Sequence, residues 1–234
     1  MADWDRLRHA FLDGEIFWDQ FPEIVTRAAR NTLIYTGLAF GLALAGGLLL
    51  ALMRLSPLRP YRWFAAAYIE VFRGLPALLT ILAVGYAIPI ALDARVPGTY
   101  GPGAVALAVV YSAYLAETLR AGIEAVPRGQ IEAARSLGMS GSRATASIVL
   151  PQAMRIVVPP MTNELVALLK DTTLLSLVLG STDATIEVMK YSRDSVSRTF
   201  NITPIVAAGL VYLAITIPLT RLVGLLERRN RRAR

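Results

Sequence analysis

Residues 32 to 53, TLIYTGLAFGLALAGGLLLALM, carry no charged side chain, and at about 1.5 Å per residue a helix of that length crosses about 30 Å of hydrocarbon. Residues 74 to 92, GLPALLTILAVGYAIPIAL, are equally clean, and the preceding YRWFAAAYIEVFR can extend that helix backward with Glu70 and Arg73 as costly inclusions. Residues 102 to 119 give a third span with Glu117 near its end, and residues 204 to 223 another, with a kink expected at Pro218. Between them, residues 152 to 180 are mixed: QAMRIVVPPMTNELVALLKDTTLLSLVLG holds Pro159-Pro160, then Glu164, Lys170 and Asp171. The pattern predicts an all-α, polytopic membrane helix bundle of about five transmembrane helices.

Charge placement then orients the bundle. Arg54, Arg59 and Arg62 follow the first span; Arg120, Arg128, Arg135, Arg143 and Arg155 lie between the third and fourth; Arg228, Arg229, Arg231, Arg232 and Arg234 crowd the end. The opposite loops hold Arg95 with Asp93, then Lys190, Arg193 and Arg198 diluted by Asp183, Glu187 and Asp194. Counting Lys and Arg predicts an N-terminus outside, five crossings and a cytoplasmic C-terminus. Residues 1 to 31 then form an outer amphipathic segment, with Trp4, Phe11, Phe17, Trp18 and Phe21 available to the interface. Residues 32 to 224 are the membrane domain, and residues 225 to 234 a basic cytoplasmic tail.

Composition agrees. Of 234 residues, 55% are hydrophobic and 18% charged, and the net charge of +7 is accounted for by topology-setting arginines rather than by nucleic-acid binding. Absence of cysteine removes thiolate sites and disulfides, and a single His9 cannot build a histidine cluster. The start, MADWDRLRHAFLDGEIFW, has no basic segment leading into an apolar run, so no cleaved signal peptide is expected. Gly37, Gly41, Ala45 and Gly46 on the first span offer small faces for close helix packing.

One polar stretch interrupts the apolar pattern: EAARSLGMSGSRATASIVLP, residues 132 to 151. GQIEAARSL favours a helix, Gly138 sits where a glycine ends one, GMSGS is a tight polar turn, and Pro151 suits the first turn of the next helix. A short helix lying across the membrane plane results, either a docking element for a cytoplasmic partner or a solvated loop.

The spacing of Glu132, Ala133, Ala134, Gly138, Ile148, Leu150 and Pro151 resembles the signature of ABC importer permeases. AYLAETLRAGIEAVPRGQIEAARSLGMS (113 to 140), IEVFRGLPALL (69 to 79) and NELVALLKDTTLLSLV (163 to 178) are similar to the polar amino-acid branch of that family, the histidine, glutamate, glutamine, arginine and opine type. The resemblance covers most of residues 27 to 224. It implies a bacterial inner-membrane permease that pairs with a second copy or a paralogue, receives substrate from an extracytoplasmic binding protein, and is driven by a cytoplasmic ABC ATPase dimer. Residues 128 to 151 then form the coupling loop, with Glu132, Ala133, Ala134 and Gly138 meeting the ATPase. ATP and Mg belong to that partner: the chain has no GxxxxGK[ST], and its only lysines are Lys170 and Lys190, so no cofactor or catalysis is expected in it.

Ionisable residues within spans each need a reason. Glu164 and Asp171, seven apart, share a helix face, and Lys170 is a looser neighbour. With Pro159-Pro160 freeing backbone groups, the fourth span is expected as a broken helix lining a polar cavity. Lys170 or Arg73 can face a substrate carboxylate, and Glu164 or Asp171 an ammonium, with Thr172 and Thr80 on the same path. Bracing between subunits is the alternative use of these charges, favoured for Glu70 with Arg73 and for Glu117. Leu75 stands where the branch usually has a threonine, and Thr80 where a glutamine is common, which leaves the particular amino acid open and admits an opine or cystine. A proton-coupled secondary transporter also explains buried carboxylates, but no internal repeat is visible; a non-transporting membrane scaffold explains the polar loop but not the charged fourth span.

Overall fold

A computed structural model describes residues 2–93, 96–178 and 184–232; Arg95, Asp183 and Arg234 of the charge count, and residues 179 and 180 of the fourth predicted span, lie outside them. Every regular element among the described residues is helical. In order they are α1 (Ala2–Phe11), α2 (Gly14–Glu23), α3 (Ala29–Leu55), α4 (Arg59–Gly74), α5 (Ala77–Leu82), α6 (Ile88–Ala91), α7 (Gly101–Glu124), α8 (Arg128–Ser136), α9 (Gly141–Ala144), α10 (Leu150–Asp171), α11 (Leu175–Val178), α12 (Val188–Thr199) and α13 (Thr203–Arg232).

The central post is α7, whose small side chains Ala104, Ala106, Ala108, Ser112, Ala113 and Ala116 let neighbours approach on nearly every side. Against it lies α3, through a stripe at four-residue spacing, Tyr35, Ala39, Ala43, Gly47 and Ala51. A Cβ on Gly47 would stand 2.9 Å from Leu115 Cβ, 3.1 Å from the Ala116 nitrogen and 3.1 Å from the Ser112 carbonyl oxygen. Close packing therefore rests on Gly47, helped by Gly46. Gly37, Gly41 and Ala45 do not serve it: they are exposed one face away, and Gly37 and Gly41 meet open space. Leu38, Leu42, Leu48, Leu49 and Leu52 also point outward, as expected where lipid is the solvent.

Among the described residues, three helical stretches are long and apolar enough to cross a membrane: Trp4–Leu55, Gly101–Glu124 and Thr203–Leu225. The second predicted span is not a straight continuation of α4. Chain direction turns by 111° between Arg59–Gly74 and Ala77–Ala91, at Leu75 and Pro76, both in extended conformation, because the residue before a proline avoids the helical region. Counting that bent pair as one span gives four. At 22 residues α10 is long enough, but Arg155, Glu164, Lys170 and Asp171 dilute its apolarity below that of the others.

Nor is α10 broken at Pro159-Pro160, as the sequence pattern suggested; it runs from Leu150 to Asp171 with Pro159 buried against its neighbours. Irregularity appears elsewhere. A π turn at Thr145–Val149 precedes Pro151, which stands in the first turn of α10, and another at Ala83–Ala87 precedes Pro89. A proline ring clashes with the carbonyl four residues back, here Ser147 and Gly85, and a widened turn at those positions relieves it.

Helix continuity runs from Gly14 through the π turn Ile24–Ala28 into α3, so no break marks position 31. Phe17 and Phe21 stack 4.9 Å apart and pack on the α13 cluster around Ala207, Ala208 and Val211, whereas Trp4, Phe11 and Trp18 stay exposed. The preceding segment hooks onto the turn before α13: Asn201 Nδ2 donates to the His9 carbonyl at 2.7 Å, and the Asp13 N–H to Thr203 Oγ1 at 3.0 Å.

Candidate functional site

At one end of the bundle α8 stands clear of the helices. Glu132, Ala133 and Gly138 are exposed and Leu137 is 86% exposed, while Ala134 is buried on the side that packs against the π turn Thr145–Val149. Ile131 seats beside Val126, Val149 and Ala153. The helix ends as its glycine predicted: the Met139 N–H donates to the Ala134 carbonyl at 3.1 Å and the Gly138 N–H to that of Arg135 at 3.0 Å, with Gly138 at φ 85°. Ser140 then caps α9 by accepting from the Arg143 N–H at 3.3 Å. The result is a rigidly terminated helix that presents polar and small side chains, plus one bare leucine.

Within the bundle, a second group of polar side chains gathers around α7. Tyr111 donates its hydroxyl to Asp171 Oδ2 at 2.9 Å, the Tyr111 and Tyr114 rings lie 6.0 Å apart, and the Arg73 guanidinium sits 5.5 Å from the Tyr114 ring centroid. Glu164 is half-buried within the electrostatic reach of Arg73 and Tyr111. Arg73, Glu164 and Asp171 are thus gathered from α4 and the C-terminal part of α10. Arg73 reaches the tyrosine ring rather than Glu70, and Glu117 pairs instead with Arg120, which also holds Glu124.

Three other predicted path residues are placed apart. Lys170 shares an exposed face with Asn163 and Ala167, about 100° around the helix from Asp171. Thr172 is fully buried toward α13, with Oγ1 3.4 Å from the Tyr212 hydroxyl. Thr80 is 2% exposed, and its hydroxyl is without a hydrogen-bond partner among the described groups.

A third group was not anticipated. Asn31 and Thr32 are fully buried at the start of α3. Asn31 Nδ2 donates to the carbonyls of Ala184 at 3.1 Å and Ile186 at 2.8 Å, and its Oδ1 accepts from the Tyr100 hydroxyl at 2.8 Å. Thr32 Oγ1 accepts from the Val188 N–H at 3.2 Å. Glu187, 2% exposed, caps α12, accepting from the N–H groups of Met189 and Lys190 at 2.7 and 2.5 Å. Burial pushes this carboxyl up to about 7, against the hydrogen bonds that favour its charge. These residues come from three separated segments, and the sequence showed Glu187 only as one more loop charge. Nearby, a polar groove of about 640 Å³ opens between α2 and α12, lined by Asp19, Gln20, Arg27, Tyr191 and Arg198 among others.

Residues 32–232 match the model of the binding-protein-dependent transport system inner membrane component family. The chain belongs to this family. It is a membrane-embedded permease subunit of an ATP-driven importer, a class that works with an ATPase and a substrate-binding protein.

Relatives sharpen the placement. The chain is 40% identical over 203 residues to a probable glutamine ABC transporter permease protein of Bacillus subtilis (strain 168), covering 83% of this permease and 89% of that one. It is 33% identical over 221 residues to an arginine transport system permease protein of the same organism, covering 93% and 97%. Among solved structures, an amino acid ABC transporter crystallised with histidines superposes with a TM-score of 0.80 at 33% identity, over 94% of this chain and 98% of that one. The methionine transporter MetNI shares the fold at 17% identity, TM-score 0.69. The polar clusters described above therefore belong to a permease subunit.

Proposed function

We propose that this permease forms the path for a polar amino acid and is driven through α8 by a cytoplasmic ABC ATPase dimer. The observation that carries the substrate class is the cluster of Arg73, Glu164 and Asp171 around Tyr111 and Tyr114. It offers one exposed cation beside two half-buried acids, the complement of a zwitterion's carboxylate and ammonium. The glutamine, arginine and histidine named for its relatives support the same class. Thr80, with its free hydroxyl, and Thr172 lie close enough in sequence to these groups to shape the path, and Lys170, on the exposed face of α10, serves it from a second copy or a paralogue packed there.

In this reading five crossings, with α10 the fourth and α4–α6 a bent second, put the N-terminus outside the bacterial inner membrane and α8 and the basic tail in the cytoplasm. The 640 Å³ groove and α12 then face the binding protein. Glu132, Ala133 and Leu137 enter the ATPase, and Gly138 fixes the angle at which they do so. ATP and Mg bind in the ATPase alone.

The test reconstitutes the permease in nanodiscs with its ATPase and binding protein and reads ATP hydrolysis against a panel of polar amino acids. One of them raises turnover in the wild type, and Asp171→Asn loses that stimulation while keeping the ATPase bound. A complex that retains its ATPase and responds to no polar amino acid overturns the substrate class.

A further inference from the structure

Glu187 does more than cap a helix. Besides the two backbone N–H groups, its Oε2 lies 3.3 Å from the hydroxyl of Tyr212 on α13. That hydroxyl lies 3.4 Å from Thr172 Oγ1, whose own proton goes to the Leu169 carbonyl at 2.7 Å. A phenol has one proton, which Tyr212 gives either to Glu187 or to a threonine hydroxyl, Thr172 at nearly equal distance or the neighbouring Thr32. We propose that Glu187, Tyr212 and Thr172 form a two-position hydrogen-bond switch that reports the protonation of Glu187 to the end of α10 carrying Asp171.

Ionised Glu187 is the stronger acceptor, because a hydrogen bond to a charged oxygen exceeds one to a neutral hydroxyl, and it holds the Tyr212 proton. Protonation removes that charge and releases the phenol to Thr172. Thr172 follows Asp171 directly and opens the 3-10 turn Thr172–Leu174 in which α10 ends, so the new bond acts on the backbone that carries the carboxylate. Groups facing Glu187 are Tyr35 from α3, Tyr212 from α13 and Arg193 from α12; Lys190 is engaged with Asp194 at 2.6 Å. Among the described groups only Arg193 brings charge, and burial outweighs it, which sets the switch point near neutrality. A helix cap alone requires neither the burial nor the third contact.

Transport readout rests on the proposed amino-acid reading; titration of Glu187 does not. Infrared difference spectra of the permease–ATPase complex in nanodiscs follow the protonated carboxyl stretch of Glu187, identified by its loss in Glu187→Gln. Tyr212→Phe removes a donor to the carboxylate and moves the midpoint up; Thr172→Val removes the competing acceptor and moves it down. Opposite shifts are the expected result, and shifts of one sign, or none, overturn the switch. In the same complexes, stimulated ATP hydrolysis changes by about fivefold between about pH 6 and about pH 8 in the wild type, and this dependence is lost in Tyr212→Phe. Its survival in that variant also overturns the switch. A complex that no amino acid stimulates contradicts the substrate reading, while the infrared shifts still decide the switch.

Discussion

At the α8 end, Glu132, Arg135 and Ser136 stand in solvent; at the opposite end Asn31, Thr32, Thr172 and Glu187 are buried and bonded to one another's segments. Both ends are polar, but only the second satisfies its groups internally. Polarity left in water costs nothing to keep and is available to a partner, whereas polarity taken into the bundle must be paired, and its pairing fixes geometry. One end is therefore built to be read by another protein and the other to hold four segments in register.

Substitutions can break or sharpen this contrast. The largest effect is expected at Gly138, whose φ of 85° a β-branched residue does not tolerate. Gly138→Val lowers stimulated ATP hydrolysis by at least about tenfold with a thermal unfolding midpoint close to wild type, and Gly138→Asn, which accepts that conformation, retains most of it. If Val and Asn behave alike, the turn is not what sets α8. At the buried end, Asn31→Ala strands the Ile186 carbonyl and leaves the Tyr100 hydroxyl and the Ala184 carbonyl only their 3.4 Å contact with each other, and costs about 1–3 kcal/mol in denaturant unfolding. Between the two ends, Gly47→Ala forces α3 away from α7 at a cost of about 1–3 kcal/mol, while Gly41→Ala, open to its surroundings, is neutral or slightly stabilising.

Stability should also respond to pH at the buried end. Because the folded Glu187 carboxyl lies near 7 and the unfolded one near 4.5, the folded state binds the extra proton between those values. This group's contribution is complete at acidic pH and is lost as pH rises through about 7. Unfolding midpoints of wild type and Glu187→Gln therefore diverge across that window, and parallel profiles would contradict the burial assigned to Glu187. The smallest effect belongs to Glu132→Ala: within about 0.5 kcal/mol of wild type in stability, with its loss confined to ATPase coupling.

The contrast also explains what could be read from the chain alone. α8 and its glycine stop were legible because every residue involved lies within about a dozen positions, and local turn chemistry decides them. Three of the predicted spans followed from apolar run length, the second appeared as a bent pair, and α10 did not follow from it. The network at the other end was not legible, because residues 31, 32, 100, 184 to 188 and 212 share no spacing and meet only through the fold. Seven-residue spacing put Glu164 and Asp171 on one helix face, but nothing local told that Arg73 would reach across to Tyr114. The glycine stripe failed for a related reason: small residues reveal that a face can be approached, not which face is. Pro159-Pro160 misled because the helix continues through both prolines, Pro159 buried against its neighbours and Pro160 on the exposed side.

Because α9, the π turn and α10 are contiguous, one helical shaft runs from Gly141, beside the α8 turn, to Asp171. Its length is roughly 45 Å at 1.5 Å per residue, comparable to the full thickness of a bilayer with its headgroups. A shaft of that kind behaves as a connecting rod: tilt imposed near Ser140 arrives at Asp171 as displacement, scaled by the distance of each from the point where α10 crosses α7. Gly122 lies at that crossing, where even a Cβ would come within 2.0 Å of Val157, so the fulcrum leaves no room for slip.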